Sequence, residues 1–176
     1  MPFLLTLYGA FTNGLGVNPV ETMNRRMGDW ALYFLLITLS ITPLKQLFGW
    51  FKLLQFRRML GLYVFFYACV HFLTYIWFDH YFNWLEIIED IIKRPFITVG
   101  FVSLILLLPL ALTSNKFMIK KLKKNWLRLH QSIYLIAILV IIHFFWMVKA
   151  DYYQPLIFAL ILALLLGYRL LKLNKK

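Results

Sequence analysis

Long apolar runs, separated by short polar segments, occupy most of the chain. Runs of this kind predict membrane-crossing helices, because about 20 apolar residues span the hydrocarbon core of a bilayer. The first run has about half of that length, so its spanning role is open. The predicted helices lie at about 3–11 (short), 29–44, 57–78, 96–113, 126–148 and 155–170. The expected fold is an all-α integral membrane protein, a bundle of five to six transmembrane helices, with residues 1–176 forming one transmembrane domain.

The composition supports a membrane protein. The chain is 62% hydrophobic and only 15% charged, and its mean hydropathy is +0.73. A soluble domain usually has about a quarter of its residues charged. Because the sequence also has no Pro/Gly/Ser-rich linker, low-complexity tract or internal repeat, a separate soluble domain is not expected.

The distribution of the net charge of +12 indicates the orientation of the chain in the membrane. Alternate loops place fourteen of the 19 basic residues on one side of the membrane, and all seven acidic residues on the other side. The fourteen are Lys45, Lys52, Arg57, Arg58, Lys116, Lys120, Lys121, Lys123, Lys124, Arg128, Arg169, Lys172, Lys175 and Lys176. The acidic residues are Glu21, Asp29, Asp79, Glu86, Glu89, Asp90 and Asp151. The positive-inside rule makes the basic loops and the C-terminus cytoplasmic. The charge therefore indicates contact with membrane lipids, and nucleic-acid binding is excluded.

Two histidines are the candidate cofactor ligands. His71 lies fourteen residues after Arg57, and His143 lies about seventeen residues into the helix predicted from 126 to 148. Both helices start on the basic side, so His71 is expected about 20 Å along its helix, and His143 is expected at a similar depth. Two neutral imidazoles in an apolar bundle suit the axial ligation of heme iron. The alternative is that each histidine only hydrogen-bonds to a neighbouring helix.

His130 is a third candidate with no obvious partner. It precedes His143 by thirteen residues, which separates the two by about 20 Å along the axis and about 140° around it. At the matching depth of the third helix stands Arg58 rather than a histidine. His130 could ligate a second heme with another ligand, contact a heme propionate or a flavin phosphate, or bind a quinone oxygen.

His80 follows Asp79 and is predicted to be a solvated interface residue. The segment 79–94 is predicted to be an outer loop or a short amphipathic helix. It could lie along the membrane interface or offer an acidic docking surface to a partner. The basic loop 116–128 could bind a phosphate, although anchoring to anionic lipid is the simpler interpretation.

No competing chemistry has a motif in the sequence. There is no Gly-rich phosphate loop, no CxxC, no HExxH and no Ser-His-Asp set at a plausible depth. The paired intramembrane carboxylates that a proton pump needs are also missing from the predicted helices. A non-redox scaffold or transporter, in which the histidines only pack, stays open as an alternative.

Seven runs along the chain together resemble one protein family. In chain order they are Leu39-Ser40-Ile41-Thr42-Pro43-Leu44, Arg57-Arg58-Met59-Leu60-Gly61-Leu62, Tyr67-Ala68-Cys69-Val70-His71, Lys93-Arg94-Pro95-Phe96-Ile97-Thr98-Val99-Gly100, Leu112-Thr113-Ser114, Trp126-Leu127-Arg128-Leu129-His130 and His143-Phe144-Phe145-Trp146-Met147-Val148-Lys149. The family that they resemble is the heme-binding membrane subunit of the bacterial periplasmic protein-methionine-sulfoxide reductase system, in the ferric-reductase-like transmembrane superfamily.

The resemblance implies a six-helix protein of the bacterial inner membrane that binds heme b and also FMN, and it does not decide between one heme and two. Because only His71 and His143 are matched in depth, one heme is expected and two are possible. It implies that electrons pass from the quinone pool to a soluble periplasmic molybdopterin subunit, which reduces oxidised methionines in envelope proteins. His71, His130 and His143 match the family's three motif histidines, whereas His80 matches none. The alternative within redox chemistry is a transmembrane reductase that takes electrons from cytosolic flavin and reduces ferric iron or oxygen.

Overall fold

The computed structural model describes residues 2–173, and that part of the chain is helical, with no strand. Lys175 and Lys176, two of the predicted cytoplasmic residues, lie outside the described residues. A 3-10 turn at Phe51–Phe56 precedes α3, and a π-helical turn at Tyr75–Asp79 extends it. The α-helices are α1 (Pro2–Phe11), α2 (Pro19–Phe48), α3 (Arg57–Thr74), α4 (Trp84–Lys93), α5 (Pro95–Leu112), α6 (Lys116–Leu122), α7 (Lys124–Gln131), α8 (Ile133–Met147) and α9 (Tyr153–Leu173).

Five helical segments of the described chain are long and apolar enough to cross a membrane. They are Pro19–Phe48, Phe51–Asp79, Pro95–Leu112, Lys124–Met147 and Tyr153–Lys172. The ten residues of α1 reach about 15 Å, which is half of a hydrocarbon core of about 30 Å. The predicted all-α transmembrane bundle is therefore confirmed, with five full spans and one short apolar helix.

The second helix begins ten residues before the start at 29 that the apolar run predicts, because its first turns are polar. The Asn18 side chain caps α2 by accepting a hydrogen bond from the Glu21 N–H, and Pro19 occupies the first turn. Proline suits that position, since its missing N–H has no partner there in any helix. At the other end, Gly49 closes α2 in the left-handed conformation, at φ 69°.

The segments that connect the spans contain helices of their own. The segment 79–94, predicted to be an outer loop or a short amphipathic helix, contains the helix α4. The basic stretch 116–128 folds into α6 and the start of α7, which are separated at Lys123. The helix predicted over 126–148 is interrupted by a turn at Ser132, which divides α7 from α8. His130 therefore lies on a different helical segment from His143.

The spans alternate in direction, so the bundle has a basic end and an acidic end. The basic end contains the 3-10 turn and α6, and the acidic end contains the start of α2, α4 and the start of α5. α2 packs chiefly against α3, and α5 packs chiefly against α8, while α9 contacts α2 and α8. The core between them consists of Leu32, Leu35, Leu36, Leu39, Val64, Leu107, Leu110, Ile136, Ala137, Ile141, Phe144 and Leu162.

An arginine pairs with a backbone carbonyl that a proline leaves free. Pro43 lies inside α2 and has no N–H to donate to the carbonyl oxygen of Leu39, four residues earlier. Arg169 Nη2 donates to that oxygen at 2.8 Å, and Arg169 Nη1 donates to the Tyr134 hydroxyl. Arg169 thus joins α9 to α2 and α8.

We predict that Arg169→Met lowers the free energy of unfolding in detergent by about 1–3 kcal/mol, because it leaves a buried carbonyl unpaired. In a Pro43→Ala background the new N–H can satisfy the Leu39 carbonyl, so the cost of the same substitution is expected to fall. Thermal or SDS unfolding of the four proteins of this double-mutant cycle measures the difference. Lys120→Met, at an exposed position of α6, is the control. Equal costs in both backgrounds would show that the Leu39 contact contributes nothing.

Candidate functional site

His71 and His143, predicted at similar depth, face each other in the structure. His71 lies on α3 and His143 on α8. Their ring centroids are 6.3 Å apart, and the ring planes meet at 77°. His143 is four residues before the end of α8, or about 6 Å along the axis, so the pair lies in the half of the bundle next to the acidic end.

Each imidazole has one nitrogen satisfied by a neighbouring helix. His71 Nδ1 lies 2.9 Å from the Asn24 carbonyl oxygen of α2, and His143 Nδ1 lies 2.6 Å from the Phe96 carbonyl oxygen of α5. Because a carbonyl only accepts, each Nδ1 carries the hydrogen and donates it. The lone pair of a neutral ring is then on Nε2, and neither Nε2 has a hydrogen-bond partner among the described residues. This is the tautomer that binds metals through Nε2.

The separation of the rings fits one iron between them. Metal–imidazole bonds are about 2.0–2.1 Å long, and each nitrogen lies about 1 Å from its ring centre, so two ligands on opposite sides of a metal place the ring centres about 6 Å apart. The observed 6.3 Å matches this distance. His71 and His143 are therefore the residues that could hold a heme here.

A bare metal ion does not suit the same position. The described residues contain no cluster of three or more His, Cys, Asp or Glu side chains that could hold a metal ion. A zinc site needs at least three protein ligands, whereas a porphyrin supplies four nitrogens of its own and needs only axial ligands. Two histidines alone therefore favour heme.

Two glycines that the predictions did not single out lie against the imidazole rings. A Cβ on Gly28 of α2 would stand 3.2 Å from His71 Cε1, and a Cβ on Gly100 of α5 would stand 2.8 Å from His143 Nδ1. Each glycine precedes its histidine by 43 residues. This equal spacing, near the starts of two predicted helices, is the signal that could have identified them.

His130 does not join this pair. Its Nε2 is 3.0 Å from the Thr113 hydroxyl oxygen, and its ring stacks on Trp126 with the centroids 4.0 Å apart. The Trp126 indole N–H donates to the Thr113 carbonyl at 3.0 Å. These contacts occupy one nitrogen and one face of the His130 ring, which lies near the basic end. Among the described residues, no second histidine lies next to His130. Cofactor binding by His130 stays a prediction.

The prediction that His80 is solvated is wrong. Its side chain is 12% exposed, and its Nε2 lies 3.2 Å from Asp90 Oδ2. Its ring also packs edge-on against Tyr75, with the centroids 4.7 Å apart. The cause is α4, which brings Asp90 back over the end of α3. His80 therefore links α4 to the bundle.

The model of one known protein family matches most of the chain. Residues 27–154 match the family model described as "Ferric reductase like transmembrane component", a range that includes both facing histidines and both glycines. No solved structure matches the chain significantly.

Three similar curated proteins share the description "Protein-methionine-sulfoxide reductase heme-binding subunit MsrQ". The protein of Herminiimonas arsenicoxydans is 51% identical over 172 residues, which cover 96% of this chain and 79% of that protein. The protein of Xanthomonas campestris pv. campestris (strain B100) is 53% identical over 161 residues, covering 92% of this chain and 74% of the relative. That of Xanthomonas oryzae pv. oryzae (strain MAFF 311018) is 52% identical over 158 residues, covering 90% and 72%. The chain therefore belongs to the ferric reductase like transmembrane component family and, within it, to the MsrQ subunits of the methionine-sulfoxide reductase system.

Proposed function

We propose that this protein is a heme b subunit that passes electrons from the quinone pool to a methionine-sulfoxide reductase. The observation that carries the proposal is the opposed pair of imidazoles, with ring centroids 6.3 Å apart and with both Nδ1 atoms hydrogen-bonded to backbone carbonyls. The description of the relatives as heme-binding subunits supports the same proposal. The protein is an electron-transfer subunit, and the reduction of the substrate takes place on its partner.

The heme is of the b type, held without covalent bonds to the chain. Covalent attachment through the usual motif needs two cysteines in C-x-x-C-H, and the chain has only Cys69. We propose one heme, because His130 is engaged with Thr113 and Trp126 and has no histidine opposite it among the described residues. A second heme at the basic end would need His130 to leave these contacts.

The chemistry that heme supplies is the uptake and release of one electron at the iron. The residues of the chain hold the ligands in place. The Asn24 and Phe96 carbonyls fix each imidazole in the tautomer that has its lone pair on Nε2, and their hydrogen bonds make that nitrogen a stronger ligand. The apolar side chains of the surrounding helices limit the access of water.

The acidic end faces the periplasm in our proposal, and the protein lies in the inner membrane of a bacterium. The support is the charge asymmetry, because basic loops stay in the cytoplasm. With this orientation the histidine pair lies close to the periplasmic surface, since Phe96 is the second residue of α5. A periplasmic partner docked there would receive electrons over a short distance. The family resemblance supports a molybdopterin-containing reductase as that partner.

The electron donor is quinol from the membrane pool, and FMN is a further cofactor; both of these proposals rest on the resemblance. The family model that matches residues 27–154 favours a second candidate function, namely a transmembrane reductase that takes electrons from cytosolic flavin. That protein would pass them to ferric iron or oxygen outside.

We predict that His71→Ala and His143→Ala each abolish the low-spin heme spectrum of the purified protein, because each removes an axial ligand of the iron. His130→Ala is expected to keep the full heme content and the low-spin spectrum, since its ring bonds to Thr113. Absorption spectra of the oxidised and dithionite-reduced proteins, with the heme-to-protein ratio, measure both outcomes.

His80→Ala is the matched control, because it removes a partly enclosed imidazole that lies outside the pair. If the wild-type protein shows no Soret band, and none returns when hemin is added, the heme proposal is refuted and the non-redox scaffold gains support. Heme loss in His130→Ala alone would instead assign the ligand role to His130.

The topology has its own test with single cysteines in a Cys69→Ala background. Cysteine at Glu86, exposed on α4, is expected to react with a membrane-impermeant maleimide in intact spheroplasts, because α4 lies at the acidic end. Cysteine at Lys120, exposed on α6, should react only after the membrane is permeabilised. The reverse labelling pattern would overturn the proposed orientation.

The donor is tested with purified protein in liposomes. We expect a quinol to reduce the heme, and the periplasmic reductase with methionine sulfoxide to reoxidise it. A soluble flavin reductase with NADPH is the comparison. Heme reduction only by the flavin reductase, with reoxidation by ferric iron or oxygen, would support the second candidate function in place of the first.

A further inference from the structure

The two histidines make the same two kinds of contact, each with a different helix. His71 donates its Nδ1 hydrogen to Asn24 of α2 and lies against Gly28, four residues further along that helix. His143 donates to Phe96 of α5 and lies against Gly100, again four residues further along. Residues four apart share one face of a helix. Each ring therefore meets one helix face at two points, a carbonyl and a glycine.

The glycines are required by the closeness of the rings. A Cβ at position 100 would stand 2.8 Å from His143 Nδ1 and 2.9 Å from Cε1, closer than side-chain carbons approach other atoms, so the ring would have to move. At position 28 the corresponding distances to His71 are 3.2 Å to Cε1 and 3.3 Å to Nδ1, so a smaller shift would suffice. Two further helical glycines, Gly61 on α3 and Gly167 on α9, have nothing within 4 Å of such a Cβ.

Two contacts on each ring determine the rotation of its plane. The hydrogen bond directs Nδ1 toward the carbonyl, and the glycine allows the ring to lie against the backbone at that angle. Because α2 orients one ring and α5 orients the other, the two planes are set independently, and they meet at 77°.

We propose that Gly28 and Gly100 are positioning residues that hold the two axial imidazole planes close to perpendicular at the heme iron; the inference rests on the proposed function. The angle has an electronic consequence. Parallel imidazole planes raise one of the two iron d orbitals that interact with the rings, whereas perpendicular planes affect both nearly equally. Ferric low-spin heme with nearly equal orbitals has a highly anisotropic EPR spectrum with one large resolved g value, and parallel planes produce an ordinary rhombic spectrum.

The experiment is low-temperature EPR of the oxidised full-length protein, with heme content measured on the same samples. The wild-type protein is expected to show the highly anisotropic low-spin signal. Gly100→Ala should lose most of that signal, either to a rhombic low-spin spectrum or to a high-spin spectrum. Gly28→Ala should show a smaller change of the same kind. Gly61→Ala and Gly167→Ala, matched substitutions in open space, should leave the spectrum unchanged.

The outcomes separate this inference from the function on which it rests. A wild-type protein that binds no heme overturns the proposed function, and the inference with it. A wild-type protein with a full complement of heme and a rhombic spectrum overturns the inference alone. If Gly100→Ala does not fold, Gly28→Ala decides, because its smaller clash leaves room for relaxation. Spectra identical to wild type in Gly28→Ala, with full heme content, then refute the positioning role.

Discussion

An imidazole within a membrane bundle has two polar nitrogens, and each one left unpaired in apolar surroundings is costly. Here a backbone carbonyl of a neighbouring helix satisfies the Nδ1 atom of His71 and of His143. That bond decides which nitrogen is left for a ligand. It also requires α2 to approach α3 closely, and α5 to approach α8, which are the principal packing pairs of the bundle. The arrangement of the spans and the chemistry of the site therefore depend on the same two hydrogen bonds.

The same requirement explains a contact at the other end of the bundle. Pro43 leaves the Leu39 carbonyl inside α2 without its helical N–H partner, and the Arg169 guanidinium of α9 donates a hydrogen bond to it. With water scarce in the bilayer core, a freed backbone group must find its partner within the protein. At the acidic end the polar group that needs a partner is the Nδ1 of each histidine, and a backbone carbonyl supplies it. At the basic end it is the freed Leu39 carbonyl, and an arginine that joins three helices supplies the partner.

Features that depend on residues close together in the sequence could be predicted, whereas features that depend on contacts between distant helices could not. The apolar runs indicate membrane burial, so the spans were predictable. Counting residues from the basic ends of two predicted helices was enough to expect His71 and His143 at similar depth. The polar first turn of α2 is invisible to hydropathy, because Asn18 and Pro19 act through capping. The enclosure of His80 depends on how α4 folds back, and the 77° angle between the rings depends on four helices. Both features depend on contacts between helices that are far apart in the sequence, so no short sequence pattern predicts them.

The position of the histidine pair also bears on where electrons enter. His71 lies fourteen residues from the basic end of α3, a distance of about 21 Å along the helix. A cytosolic flavin at that end would have to transfer its electron over this distance, and tunnelling rates fall steeply with separation. His130 stands along the way, but its ring is bonded to Thr113 and stacked on Trp126. A membrane-soluble quinol can approach the pair from within the bilayer. The single heme that we propose near the acidic end would therefore suit a quinol donor better than a cytosolic flavin.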